Sequence, residues 1–216
     1  FDATCTKNCS IPNPWTGTAI NFSNFSGANG GSGYEDDVPV KINWISNVTW
    51  VGGAAGNEVR WNTGNNWSPN SAPDVDTNAT IVDRTYDPEV DGGRLVRNVT
   101  IQNGGHLKWR DATAGPTLTV GSDVTVDAGG QVTLDQDDES LVVGGTWTDN
   151  GTLNQTTGTI TFNGTNSIVN SEAAFTRLII DGTSVTLGDG AVVLCVPPNA
   201  LGHAFTINAA RTFKGG

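Results

Sequence analysis

The sequence predicts an all-β chain wound as a parallel β-helix, that is, a β-solenoid with an irregular N-terminal arm and a Trp-rich cap. The first observation behind this is a short phrase of alternating apolar and Thr/Ser residues followed by a Gly/Asn/Asp turn. Val99-Thr-Ile101, Leu118-Thr-Val120, Leu141-Val-Val143, Ile160-Thr-Phe162 and Leu178-Ile-Ile180 open successive copies, spaced about 18 to 23 residues apart, a solenoid period. The second is composition: 36% hydrophobic residues, no Met and 28 Gly among 216 residues favour strands and turns over long helices. The third is that no window carries an apolar stripe at helical spacing with capping residues.

Three zones follow in order. Residues 1–48 lack the repeat and form an N-terminal arm or assembly segment, in which Thr18–Phe22 and Val38–Ile42 flank the loop Gly27–Gly33. Residues 49–97 hold Trp50, Trp61 and Trp67 among turn residues and are expected to be a Trp-rich cap with the first coils. Residues 98–216 are the β-solenoid repeats. Within them Leu118/Val120, Val124/Val126, Val132/Leu134, Leu141/Val143, Ile160/Phe162 and Val185/Leu187 should face inward and their neighbours outward, because side chains alternate along a strand. Asp127-Ala-Gly-Gly, Gly144-Gly, Asp149-Asn-Gly, Thr157-Gly and Asp181-Gly read as turns tolerant of positive φ. An antiparallel sandwich would also alternate, and the near-constant period is what favours stacked coils. Trp109 shares the face of Leu107, so Trp109 and Trp147 are expected inside.

Charge narrows the partners. Eleven basic against 22 acidic residues give a net charge of −11, with no Lys/Arg cluster to neutralise phosphates, which argues against nucleic acid and an anionic membrane surface. No apolar run reaches the ~18 residues of a membrane span. The chain opens on Phe1 without a visible signal peptide, as expected of a processed chain. Sequons for N-glycosylation are dense: Asn8, Asn21, Asn24, Asn47, Asn66, Asn78, Asn98, Asn150, Asn154 and Asn163.

Candidate sites are few. Cys5, Cys9 and Cys195 are the disulfide candidates; the odd count leaves one thiol free or pairs it between molecules, and a buried inert thiol is the competing reading of Cys195. Asp135, Asp137, Asp138 and Glu139 occupy a turn and offer oxygens to Ca²⁺ as a weak metal candidate, although the spacing is not that of a calcium loop and a solvated turn is the plainer reading. Otherwise no cofactor is expected. No catalytic residue is assigned: His106 and His203 lie far apart in sequence with no nucleophile beside them, and Asp111 near Arg110 or Asp181 near Arg177 reads equally well as a surface ion pair.

The run Trp61-x5-Trp67-Ser, then Pro73, Asp76 and Ala79-Thr-Ile81, followed by Gly151-Thr-Leu-Asn, Gly158-Thr-Ile-Thr-Phe-Asn-Gly164 and Phe175-x2-Leu178-x-Ile180, resembles the parallel β-helix passenger and repeat regions of bacterial secreted adhesin-like and autotransporter-like surface proteins. The resemblance covers about residues 50–196 and implies a stalk, surface layer or adhesive fibre with no catalytic residues to transfer. The expected function is that of a non-catalytic extracellular or cell-surface structural or adhesive protein. The C-terminal run Phe205–Phe213 shows no polar cap, so its strand edge should pair with more chain. That partner is either a second copy, giving a head-to-tail filament with Ile20 and Phe22 in the assembly strand, or the rest of a longer surface protein. The alternative is a carbohydrate-binding or polysaccharide-degrading β-helix protein, with a glycan as its partner.

Overall fold

A computed structural model describes residues 45–110, 115–171, 174–188, 194–195, 205–208 and 212–214. Contacts divide the chain into Phe1–Ser46 and Asn47–Gly216, and the second unit is the β-solenoid. It opens with β1 (Ser46–Trp50) and β2 (Trp67–Ser68), joined through a 3₁₀ turn at Gly64–Asn66. Coils follow, each of three short strands: β3 (Thr77–Ile81), β4 (Glu89–Val90) and β5 (Gly93–Val96); β6 (Asn98–Ile101), β7 (His106–Trp109) and β8 (Thr117–Val120); β9 (Val124–Val126), β10 (Gln131–Leu134) and β11 (Ser140–Val143); β12 (Thr146–Asp149), β13 (Thr152–Gln155) and β14 (Thr159–Phe162). The winding continues through β15 (Ser167–Ser171), β16 (Ala174–Phe175), β17 (Leu178–Ile180), β18 (Ser184–Leu187), β19 (Leu194–Cys195), β20 (Phe205–Ile207) and β21 (Thr212–Lys214).

Strands stack on their counterparts one coil away. A nine-stranded sheet runs β2-β1-β3-β6-β9-β12-β15-β18-β21, a six-stranded sheet β20-β17-β14-β11-β8-β5 and a four-stranded sheet β13-β10-β7-β4, while β16 and β19 pair beside β13. From β3 onward every registered pair in these sheets is parallel, which rules out the sandwich, while β1 and β2 pair antiparallel. One grouping in the sequence reading needs correction. Val99 does not stand in the column of Leu118: it pairs with Ala79 and Val124 in the nine-stranded sheet, whereas Leu118, Leu141, Ile160 and Leu178 form one column of the six-stranded sheet. Three similar strands per coil make a one-third-turn slip invisible in sequence.

The interior is built from those columns. Leu118, Leu141, Ile160 and Leu178 stack, as do Val96, Val120, Val143, Phe162 and Ile180, all at most 1% exposed. Burial stabilises each such side chain by ~1.5–3 kcal/mol. Every inward assignment made from alternation holds except Leu187, which is only partly buried. Trp109 and Trp147 lie inside, and Trp147 meets Phe175 edge-on at 6.2 Å. A polar residue ends one column: Asp149 takes the row position of Val126, and desolvation pushes its carboxyl above the usual range while its Oδ1 accepts the Gly151 N–H at 2.9 Å. Farther along, buried Gln155 is satisfied by donating to the Gly158 and Arg177 carbonyls and accepting from the Thr176 N–H.

Glycine has a different job at the corners from the one its turn context suggests. Positive φ is confined, among the described residues, to Gly52, Gly53, Gly56, Gly92, Gly104, Gly115 and Gly129. Gly144, Gly164 and Gly182 are needed for close approach instead: a Cβ on any of them would fall on the carbonyl oxygen of the corner glycine one coil earlier, at Gly121, Gly144 and Gly164 respectively. Stacked corners bring main chain against main chain, and only hydrogen fits between.

Candidate functional site

Two constructions stand out from the repeated coil, one at its N-terminal end and one on the outer face of the four-stranded sheet. At the end, Trp50, Trp61 and Trp67 are wholly buried. Trp67 stands edge-on to both others, with ring centroids 5.0 Å from Trp50 and 4.8 Å from Trp61. The Trp67 indole N–H donates to the Trp61 carbonyl at 2.8 Å, and that of Trp50 to the Tyr86 carbonyl at 2.6 Å, tying the cap to the loop of the first coil. Asn66 locks the intervening turns from inside: its amide donates to the Asn57 and Arg60 carbonyls and accepts the Ala54 N–H. Close by, the buried Asp91 carboxylate receives Arg94 at 3.0 Å and Arg60 at 3.7 Å, so its charge is compensated. The three tryptophans expected to be buried ahead of the repeat are therefore packed together.

The outer face is set by alternation in β4, β7, β10 and β13. Val90, Leu107, Trp109, Val132 and Leu134 turn inward, leaving Glu89, His106, Lys108, Gln131, Thr133, Thr152 and Asn154 outside. Register places Glu89 beside Lys108, Gln131 beside both His106 and Thr152, and Thr133 beside Asn154. Asp87, from the loop before β4, completes a cluster. Its Oδ2 lies 2.6 Å from Lys108 Nζ and 3.6 Å from His106 Nδ1, while His106 Nε2 lies 2.8 Å from Thr133 Oγ1.

Burial depresses the His106 pKa first, the Lys108 ammonium adds to that, and Asp87 opposes both; the imidazole is neutral at neutral pH. With its proton on Nδ1 toward Asp87, Nε2 accepts from the Thr133 hydroxyl; the other tautomer reverses that bond. The arrangement gathers a carboxylate, an imidazole, a hydroxyl and an ammonium, with Asp87 too far from His106 for a hydrogen bond. It presents donors and acceptors on the outer face of the four-stranded sheet. Tyr86, 44% exposed, precedes Asp87 in the chain and packs its side chain against Gly52 and Gly53. The sequence reading missed this cluster because His106 and Thr133 are 27 residues apart and meet only through one turn of the coil.

The remaining candidates are placed as follows. In the acidic turn, Glu139 points inward at 1% exposure, its Oε2 accepting the N–H groups of Asp135 at 2.6 Å and Gln136 at 3.1 Å. Asp138 accepts the Gly115 N–H at 2.9 Å. Among the described residues no group of three or more His, Cys, Asp or Glu that could hold a metal ion is gathered, at Asp135, Asp137, Asp138 and Glu139 or elsewhere. Glu139 spends its carboxylate closing the turn. Asp181 accepts from Asn208 at 2.7 Å and Arg177 donates to the Asp137 carbonyl, so the two are not paired with each other. Cys5, Cys9, Ile20, Phe22, Asp111 and His203 lie outside the described residues; of Cys195, the backbone pairs with Phe175.

Fold and cap together define a parallel β-solenoid closed at its start by a tryptophan plug. The chain belongs to the family described as a domain of unknown function (DUF8693), whose model matches residues 49–172, from the cap through the coil β12–β14 and into β15. No curated protein and no solved structure matches the chain.

Proposed function

We propose that this chain is a non-catalytic extracellular protein of structural or adhesive type, akin to the β-helix regions of bacterial adhesin-like and autotransporter-like surface proteins. The observation that carries the reading is the division of each coil: aliphatic columns fill the inside from Ala79 to Ile180, and rows of Thr and Asn repeat outside. Such a coil makes a stiff spacer whose outer surface can be varied without disturbing the core. The net charge of −11 suits a solvated surface that repels its own copies sideways.

Self-association head to tail extends this reading. The nine-stranded sheet starts at β2, a two-residue antiparallel strand, so a copy arriving there meets a short, mismatched edge. The joint therefore falls to the arm, residues 1–48, with Ile20 and Phe22 as the strand donated to a neighbour, and Cys5 or Cys9 available to bridge to Cys195. Negative-stain microscopy with non-reducing gels tests it. Filaments and a disulfide ladder are expected; monomers alone at high concentration overturn the polymer while leaving the spacer intact. Labelling of intact cells with a membrane-impermeant reagent tests the location.

A second reading, carbohydrate binding, is favoured by the Asp87–His106–Lys108–Thr133 cluster, which gathers hydrogen-bonding groups on the outer face of the four-stranded sheet. Saturable binding on a glycan array, lost in Lys108→Ala, would support it; an array blank for the native protein would remove it.

A further inference from the structure

The coil sorts six of the N-glycosylation sequons, Asn66, Asn78, Asn98, Asn150, Asn154 and Asn163, into two kinds. Asn66 is wholly buried and both hydrogens of its amide are engaged inside the cap. Asn78 and Asn98 belong to a ladder along the nine-stranded sheet: the Asn78 amide donates to Asn47 Oδ1 at 2.9 Å, the Asn98 amide donates to Asn78 Oδ1 at 2.8 Å, and Asn98 Oδ1 accepts the Asp123 N–H at 2.8 Å. Asn150, Asn154 and Asn163 differ. All three are exposed, none of their side-chain amides has a hydrogen-bond partner among the described residues, and all lie on one coil. Asn150 sits in the turn between β12 and β13, Asn154 points outward from β13, and Asn163 follows β14. Their hydroxyl partners are Thr152, Thr156 and Thr165.

We propose that Asn150, Asn154 and Asn163 are acceptors for N-linked oligosaccharide and that Asn66 is not. The inference rests on the extracellular reading above, since the transfer belongs to the secretory route. The donor class is an oligosaccharide carried on a lipid phosphate. The side-chain Nδ2 forms a bond to the anomeric carbon and loses one proton, the bond from that carbon to the phosphate oxygen breaks, and the lipid phosphate leaves with the electron pair. No oxidant or reductant is needed. Placement supplies the physical selection: a saccharide at Asn66 would have to displace the Asn57 and Arg60 carbonyls that enclose its buried amide, whereas one at each of the other three projects into solvent. Three attachments on one coil, two at its corners and one on the four-stranded sheet, would collar it and hold copies apart laterally at that level. Asn154 is the register partner of Thr133, so its saccharide would also screen the adjoining polar cluster.

The test is glycopeptide mass spectrometry on protein isolated from the cells that make it, with Asn150→Gln, Asn154→Gln and Asn163→Gln expressed in the same cells. Saccharide on the three peptides, a stepwise mass loss in the variants and a bare Asn66 peptide are expected. Three bare peptides, or a modified Asn66, overturn the inference. Impermeant surface labelling in parallel separates the causes: labelled but bare protein refutes the sequon assignment alone, and unlabelled bare protein refutes the extracellular reading with it.

Discussion

The cap and the coils solve the same problem, burying apolar surface in a chain that is only 36% hydrophobic, by opposite means. In the cap, three tryptophans and one asparagine make contacts that occur once. In the coils, small aliphatic residues make the same contact again and again, each rung resting on its neighbours. The lesson is that the repeat spreads its stability over many equivalent rungs, while the cap concentrates it in a few side chains that also cover the first strand edge. A fault in the cap therefore exposes an edge to other chains, and a fault in a rung stays with that rung unless it brings in charge.

Charge is the harshest probe of the coils. Val143→Asp places a carboxylate between Val120 and Phe162 with no partner, and should destabilise by more than about 4 kcal/mol, whereas Thr119→Asp on the outer row of the same sheet should change stability by no more than about 0.5 kcal/mol. Thermal unfolding followed by circular dichroism distinguishes them, and equal melting of the two would break the assigned facing. Next comes the cap. Trp67→Ala should lose about 3–5 kcal/mol, with hydrogen exchange rising first in β1 and β3; uniform exchange along the coil would mean that the cap is no separate unit.

Glycine corners come third. Gly164→Ala forces the main chain off the Gly144 carbonyl and should cost about 1–3 kcal/mol, while Gly93→Ala, where an added Cβ meets nothing, should leave the denaturation midpoint within about 0.5 kcal/mol of the native protein. Similar midpoints would sink the close-approach argument.

The smallest effects are titrations, and they have opposite signs. The folded His106 has a depressed pKa, so its contribution is present above the ordinary value near 6.5 and lost as pH falls through the folded one. His106→Gln should flatten that acid-side loss. Asp149 is raised, so the folded state binds its proton more tightly than the unfolded chain does, and stability falls as pH rises from about 3.8 through the folded value. Asp149→Asn should raise the melting temperature at neutral pH. Stability curves for the two variants parallel to that of the native protein would show that neither group is coupled to folding.

Much of the architecture was readable from the chain. Alternation gave the inward residues, the period gave the stacking and the tryptophan spacing gave the plug. Column membership was not readable, because the distance between stacked partners varies from 18 residues, Val169 to Leu187, to 28, Val185 to Phe213. That drift lets Val99 pass for a partner of Leu118. The acidic turn misled for another reason: a carboxylate in a turn looks solvated whether it faces water or, as Glu139 does, two backbone N–H groups.

By itself, then, the sequence determined the local terms: which residues prefer strands, which side of each strand is apolar and where the backbone can turn. These depend on neighbours within a few positions, and propensity and periodicity report them directly. Tertiary winding alone decided what meets across coils. It brought Asp87, His106 and Thr133 into one cluster, held Asn78 and Asn98 in a ladder while leaving Asn150, Asn154 and Asn163 in solvent, and brought Gly164 against the carbonyl of Gly144. Contacts of that kind are fixed by register between strands roughly twenty residues apart, which loop lengths set and no local pattern encodes.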